Sequence, residues 1–79
     1  MSQLVRFSDV VIKKVRGKYP NAVADNPLPG TPNEIISIME QIKIVGLPDP
    51  RMWFGYALAM AISLGVFNHE EARAFLPKI

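Results

Sequence analysis

The chain has 79 residues, of which 49% are hydrophobic, 20% charged and 9% aromatic, and its formal net charge is +2. This composition is too apolar for a disordered segment, and we expect residues 1–79 to form a single small domain. The sequence has no cysteine and a single histidine, His69, which excludes disulfides, thiolate nucleophiles and histidine-cluster metal sites.

Residues 3–18 carry apolar side chains at the spacing that lines one face of a helix. This face consists of Leu4, Phe7, Val11 and Val15. The β-branched run over 10–12 favours a strand instead, but the period and the length favour a helix over 3–18.

A proline-rich loop follows at residues 19–31, because Pro20, Pro27 and Pro29 disfavour regular structure there. Thirteen residues without regular structure form a long connection for a compact domain. We therefore expect Val23 and Leu28 to anchor this loop on the core.

The second and third helices are predicted over 32–45 and 50–64. Thr31 stands in the N-cap position of the second, with Pro32 in the first turn and Glu34 three residues after the cap, which is the spacing of a capping box. Its buried stripe is expected at Ile35, Ile38 or Met39, and Ile42. Asp49 is the predicted cap of the third helix.

A fourth helix is predicted over 69–76, with a second capping box formed by Asn68 and Glu71. The segment from Leu64 to Arg73 resembles a helix–glycine–cap–helix corner that recurs in many bacterial and phage proteins. The resemblance covers little of the chain, identifies no family and implies no mechanism. A compact chain of this style suits a phage-type accessory or virion protein. The predicted fold class is all-α, with four helices.

The third helix is apolar on nearly every side. Residues 52–67 form too short a stretch for a membrane span, which needs about 20 apolar residues.

A small domain has few other helices to cover an apolar third helix, and aromatic residues and methionine are enriched at interfaces. We therefore predict that the chain is a protein–protein interaction module. It would either form a homo-oligomer or dock on a larger protein. The predicted interface residues are Met52, Trp53, Phe54 and Tyr56. The alternative is that Trp53 and Tyr56 cap the core beneath the proline-rich loop.

Positive charge is concentrated near the start of the chain, where five cationic residues stand against Asp9 alone. These residues are Arg6, Lys13, Lys14, Arg16 and Lys18. Such a basic face is typical of the solvated side of an amphipathic helix. The alternative function is that these cations bind the phosphates of a nucleic acid or nucleotide.

No nucleophile–base pair or phosphate-binding loop is present in the sequence, so we expect no enzymatic activity, cofactor or metal site. The first residues, 1–6, lack the layout of a secretion signal. A cytoplasmic or intravirion location is therefore expected.

Overall fold

The computed structural model describes residues 3–74, and over this range the chain forms four α-helices and no β-strand. The helices are α1 (Gln3–Lys18), α2 (Pro32–Ile44), α3 (Pro50–Ser63) and α4 (His69–Arg73). The predicted all-α fold class is confirmed, and α1, α2 and α3 match their predicted bounds to within one residue. Helix α4 ends at Arg73, and residues 75–76 of its predicted span 69–76 lie outside the described residues.

Helix α2 packs against both α1 and α3, while α4 contacts α3. Because α2 has a neighbour on each side, it buries a wider arc than the single stripe expected from its sequence. Ile36 is fully buried although the predicted stripe omitted it. The buried residues of α2 are Ile35, Ile36, Ile38, Met39 and Ile42.

Helix α1 contributes Val11 and Val15 to the core, both fully buried as predicted. The fully buried Ser8 is satisfied within its own helix, since its hydroxyl donates to the carbonyl of Leu4 at 2.9 Å. At the margin of the α1–α2 contact, Lys43 forms an ion pair with Asp9. The hydrogen bond from Lys43 to this carboxylate raises the pKa of the ammonium group above its ordinary value.

Helix α3 buries one stripe, formed by Phe54, Ala57, Leu58 and Ala61. It ends in a Schellman motif, in which Val66 N–H bonds to the carbonyl of Ala61 and Gly65 N–H to that of Ile62. Gly65 has φ of +76°, the left-handed conformation that this ending requires. Within residues 3–74, no helix combines the length and hydropathy that crossing a membrane would need.

One of the two predicted capping boxes is present. Asn68 Oδ1 accepts the backbone N–H of Glu71 at 2.8 Å, and Glu71 Oε1 accepts that of Asn68 at 3.0 Å. The box predicted for α2 is wrong, because the Thr31 hydroxyl donates to the carbonyl of Leu28 at 2.6 Å. Glu34 instead accepts the N–H of Gly30.

Asp49 occupies the N-cap position of α3, as predicted, but its side chain makes no capping hydrogen bond. Its backbone is left-handed, with φ of 50°, and its carbonyl accepts the N–H groups of Met52 and Trp53. The first turn of α3 is therefore capped by the backbone carbonyl of Asp49 and not by its carboxylate.

The predicted loop anchors Val23 and Leu28 are wrong, since both side chains are exposed. The 19–31 loop is held through backbone groups, because the Asn33 side chain accepts the N–H of Val23 and donates to the carbonyl of Asp25. Ala22 is buried in the core, and Tyr19 and Ala24 pack against it. Hydrogen bonds and these three side chains, rather than Val23 and Leu28, thus fix this loop.

Candidate protein-interaction site

Three side chains in the first half of α3 form what we call the α3 patch: Met52, Trp53 and Tyr56. Met52 is 61% exposed and Tyr56 is 47% exposed, while Trp53 is half-buried and packs against the core. The rings of Trp53 and Tyr56 meet edge to face, with centroids 6.1 Å apart and planes at 83°. The patch therefore presents an aromatic pair whose inner member is held in place by the core.

Phe54, predicted as an interface residue, is fully buried in the core. The prediction that Phe54 belongs to the interface is therefore wrong, because a side chain without exposed surface cannot contact a partner. The helical period accounts for the difference: Phe54 shares the buried stripe with Ala57, Leu58 and Ala61, three, four and seven residues later. Met52 and Tyr56 lie four residues apart, and Trp53 and Tyr56 three apart, so these three share a different arc.

A surface cavity of about 410 Å³ opens beside the α3 patch, lined by Glu34, Met52, Trp53 and Tyr56. Glu34 reaches it from the first turn of α2. Its Oε1 accepts the N–H of Gly30 at 2.9 Å, and its Oε2 lies 3.5 Å from the Tyr56 hydroxyl, a long and weak hydrogen bond. Two aromatic rings, a thioether and a carboxylate thus surround one depression.

The part that Glu34 plays in this site was not predicted from the sequence. Glu34 and Tyr56 lie on different helices, and nothing in the local pattern around either residue indicates their proximity. The capping-box spacing assigned Glu34 a purely local role, which its bond to Gly30 partly satisfies.

All five residues of the predicted basic face are exposed, but the structure gives several of them intramolecular contacts. Lys14 forms an ion pair with Glu71 at 3.4 Å. The Nε of Arg16 donates to the carbonyl of Ala22 at 3.3 Å. The ammonium group of Lys18 lies against the C-terminal end of α3, 3.3 Å from where a Cβ on Gly65 would be.

Arg6 and Lys13 are the two remaining cations of this face, and within residues 3–74 neither has an ion-pair partner. They lie seven residues apart, about two helical turns, and so project from the same side of α1. Arg6 and Lys13 are thus the members of the basic face for which residues 3–74 supply no ion-pair partner and no contact described above.

Within the described part of the chain, no group of three His, Cys, Asp or Glu side chains is placed to hold a metal ion. The α3 patch combines exposed aromatic surface with an adjacent cavity. Comparisons of the chain with protein-family models, with curated proteins and with solved structures find no match.

Proposed function

We propose that this chain is a non-catalytic protein–protein interaction module that self-associates through the α3 patch. The observation that carries the proposal is the exposure of Met52 and Tyr56 beside a Trp53 ring fixed by the core. Tryptophan and tyrosine dominate the binding energy of many interfaces, and apolar area removed from water contributes about 25 cal/mol per Å².

The arrangement of the α3 patch favours binding because little ordering is required. Trp53 packs against the core and holds Tyr56 by an edge-to-face contact, so the two rings lose little freedom when they meet a partner. An aromatic residue has two rotatable side-chain bonds, whereas long polar side chains have more.

The area required by a stable dimer indicates that the interface extends beyond the patch. A specific interface buries about 800 Å² on each partner, which is more than three side chains expose. Two further exposed apolar residues, Ile44 and Val45, lie on the segment that leads from α2 into α3. We expect this segment to contribute to the same contact.

Sedimentation equilibrium of the full chain over a range of micromolar concentrations tests the proposal. We expect a monomer–dimer equilibrium that Met52→Gln and Tyr56→Gln each weaken by about tenfold or more, as the loss of a central interface residue does. Val10→Thr is the matched control, because Val10 is 46% exposed and lies on α1, which contributes no side chain to the α3 patch. A wild-type chain that stays monomeric throughout would overturn the proposal.

A second candidate function, binding of a polyanion such as a nucleic acid, is favoured by one observation. Arg6 and Lys13 project from one side of α1 without intramolecular ion pairs among residues 3–74. Phosphate binding through these cations would weaken steeply with added salt. Retention on a heparin column that Lys13→Glu reduces, and that the equal charge change Arg73→Glu does not, would support this candidate.

A further inference from the structure

Met52 lines two surface cavities that hold different charged groups. One is the cavity of the α3 patch, which contains the Glu34 carboxylate. The other, of about 370 Å³, is lined by Asp49, Pro50, Arg51 and Met52, and contains the Arg51 guanidinium together with the Asp49 carboxylate. One exposed apolar side chain thus adjoins a guanidinium and two carboxylates.

Both charged groups are available to a partner. Within residues 3–74, neither Glu34 nor Arg51 takes part in an ion pair, and Glu34 keeps acceptor capacity beyond its bond to Gly30 and its long contact with the Tyr56 hydroxyl. Arg51 is exposed in the first turn of α3. Asp49 lines the same cavity as Arg51.

The two signs of charge around Met52 favour a two-fold symmetric contact. In such an interface each patch meets a copy of itself, so a contact between two different residues occurs twice. A surface with a single sign of charge would repel its copy, whereas one that carries both signs can pair its cation with an anion of the copy.

We infer that this chain forms a two-fold symmetric dimer in which Arg51 of each copy binds Glu34 of the other, with the two Met52 side chains near the axis. The inference rests on the proposed self-association and adds its geometry and specificity. The guanidinium fits the cavity chemically, since it pairs with a carboxylate through two parallel hydrogen bonds and stacks on aromatic rings such as Trp53.

A charge-swap experiment on the full chain tests the pairing by sedimentation equilibrium. Arg51→Glu and Glu34→Lys each place like charges opposite one another, and we expect each to raise the dimer Kd about tenfold or more. The double variant R51E/E34K restores the pair with reversed polarity, so its Kd should return close to that of the wild type. Arg6→Glu is the control with an equal charge change on α1.

The folding of the variants can be kept separate from their assembly. Arg51→Glu places an acid in the first turn of α3, where the helix dipole favours it. Glu34→Lys removes an acid from the first turn of α2, so the milder pair E34Q and R51Q provides a second cycle. If the two groups pair, the double substitution R51Q/E34Q should weaken the dimer no more than either single one.

The possible outcomes separate the two proposals. A monomeric wild-type chain overturns self-association and the pairing with it. A dimer that Met52→Gln weakens, but that Arg51→Glu affects no more than Arg6→Glu does, leaves self-association standing and overturns the pairing. A double swap that stays as weak as its single variants also overturns the pairing, as does additivity in the glutamine cycle.

Discussion

The hydroxyl of Tyr19 donates a hydrogen bond of 3.0 Å to the carbonyl of Leu64, forty-five residues away. Leu64 is the C-cap of α3, so this bond joins the residue after α1 to a helix end whose carbonyls lack intrahelical donors. The ammonium group of Lys18 lies at the same helix end, where positive charge is favourable. The end of α1 is thereby fixed against the end of α3.

Tyr19→Phe should lower the free energy of unfolding by about 0.5–1.5 kcal/mol, because it removes this bond and keeps the ring. Chemical denaturation followed by circular dichroism measures the change. Tyr56→Phe is the matched control, since the Tyr56 hydroxyl makes only the 3.5 Å contact with Glu34 and its loss should change stability by less than about 0.5 kcal/mol. Equal effects of the two substitutions would contradict a stabilising role for the Tyr19 bond.

Two glycines of α3 and its C-terminal turn should respond to alanine with opposite signs. Gly65 has φ of +76°, so Gly65→Ala should destabilise the fold by about 1–2 kcal/mol. Gly55 lies inside the helix with no atom within 4 Å of an added Cβ, so Gly55→Ala should stabilise it by roughly 0.5–1 kcal/mol.

Thermal unfolding measures both substitutions, and the Met52→Gln background keeps assembly from contributing to the result. A stabilising Gly65→Ala would mean that α3 does not end in the left-handed turn described above. A destabilising Gly55→Ala would mean that another group approaches that position closely.

Phe54 and Trp53 are adjacent in the chain, but substitutions of the two should act on different equilibria. Phe54→Ala removes a fully buried ring and should cost about 3–5 kcal/mol, comparable to the whole stability of so small a domain. Trp53→Ala removes a half-buried ring and should affect dimerisation more than folding.

Unfolding curves and sedimentation of both variants separate the two effects. Phe54→Leu is a milder core substitution that should keep the chain folded while still lowering its stability. A Trp53→Ala variant that dimerises as well as the wild type would remove Trp53 from the interface.

The pH dependence of stability should report on the capping box of α4. The backbone N–H of Asn68, and to a lesser extent the ammonium of Lys14, lowers the pKa of Glu71 below its ordinary value of 4.5. Because the folded state favours the ionised carboxylate, its contribution is fully present at neutral pH. It is lost as the pH falls below about 4.5 and through the lowered pKa.

Denaturation of the wild type and of Glu71→Gln, measured from neutral into acidic solution, tests this dependence. Glutamine keeps a capping oxygen and removes the charge, so the stability difference between the two proteins should shrink as the pH falls. A difference that stays constant with pH would show that the charge of Glu71 does not stabilise the folded chain.

The bounds of α2 and α3 could be predicted from the sequence because proline and glycine mark them. Pro32 and Pro50 stand at the first positions of α2 and α3, and Gly46 and Gly65 follow their ends in left-handed conformations. These are local effects of backbone geometry, and they act before any packing.

The side of α3 that faces the core could not be predicted. The helix is apolar on nearly every side, so its sequence pattern does not show which side chains are buried. Nothing in the order Met52, Trp53, Phe54 indicates that the third of these residues faces inward. The burial of Ile36 likewise depends on α2 having two neighbours. Thr31 stands at the N-cap of α2 as predicted, but its capping box was predicted wrongly because its hydroxyl has a competing acceptor in the preceding turn, the carbonyl of Leu28.

Polar links join the α1 end of the chain to each later helix: Asp9 to Lys43, Lys14 to Glu71, and Tyr19 to Leu64. During synthesis on a ribosome, α1 emerges long before any of these partners. Helix α1 can pack on α2 as soon as residues 32–44 have emerged, but Lys14 and Tyr19 gain their partners only when Glu71 and Leu64 have been made. We expect the nascent chain to reach its full stability only after that last stretch has emerged.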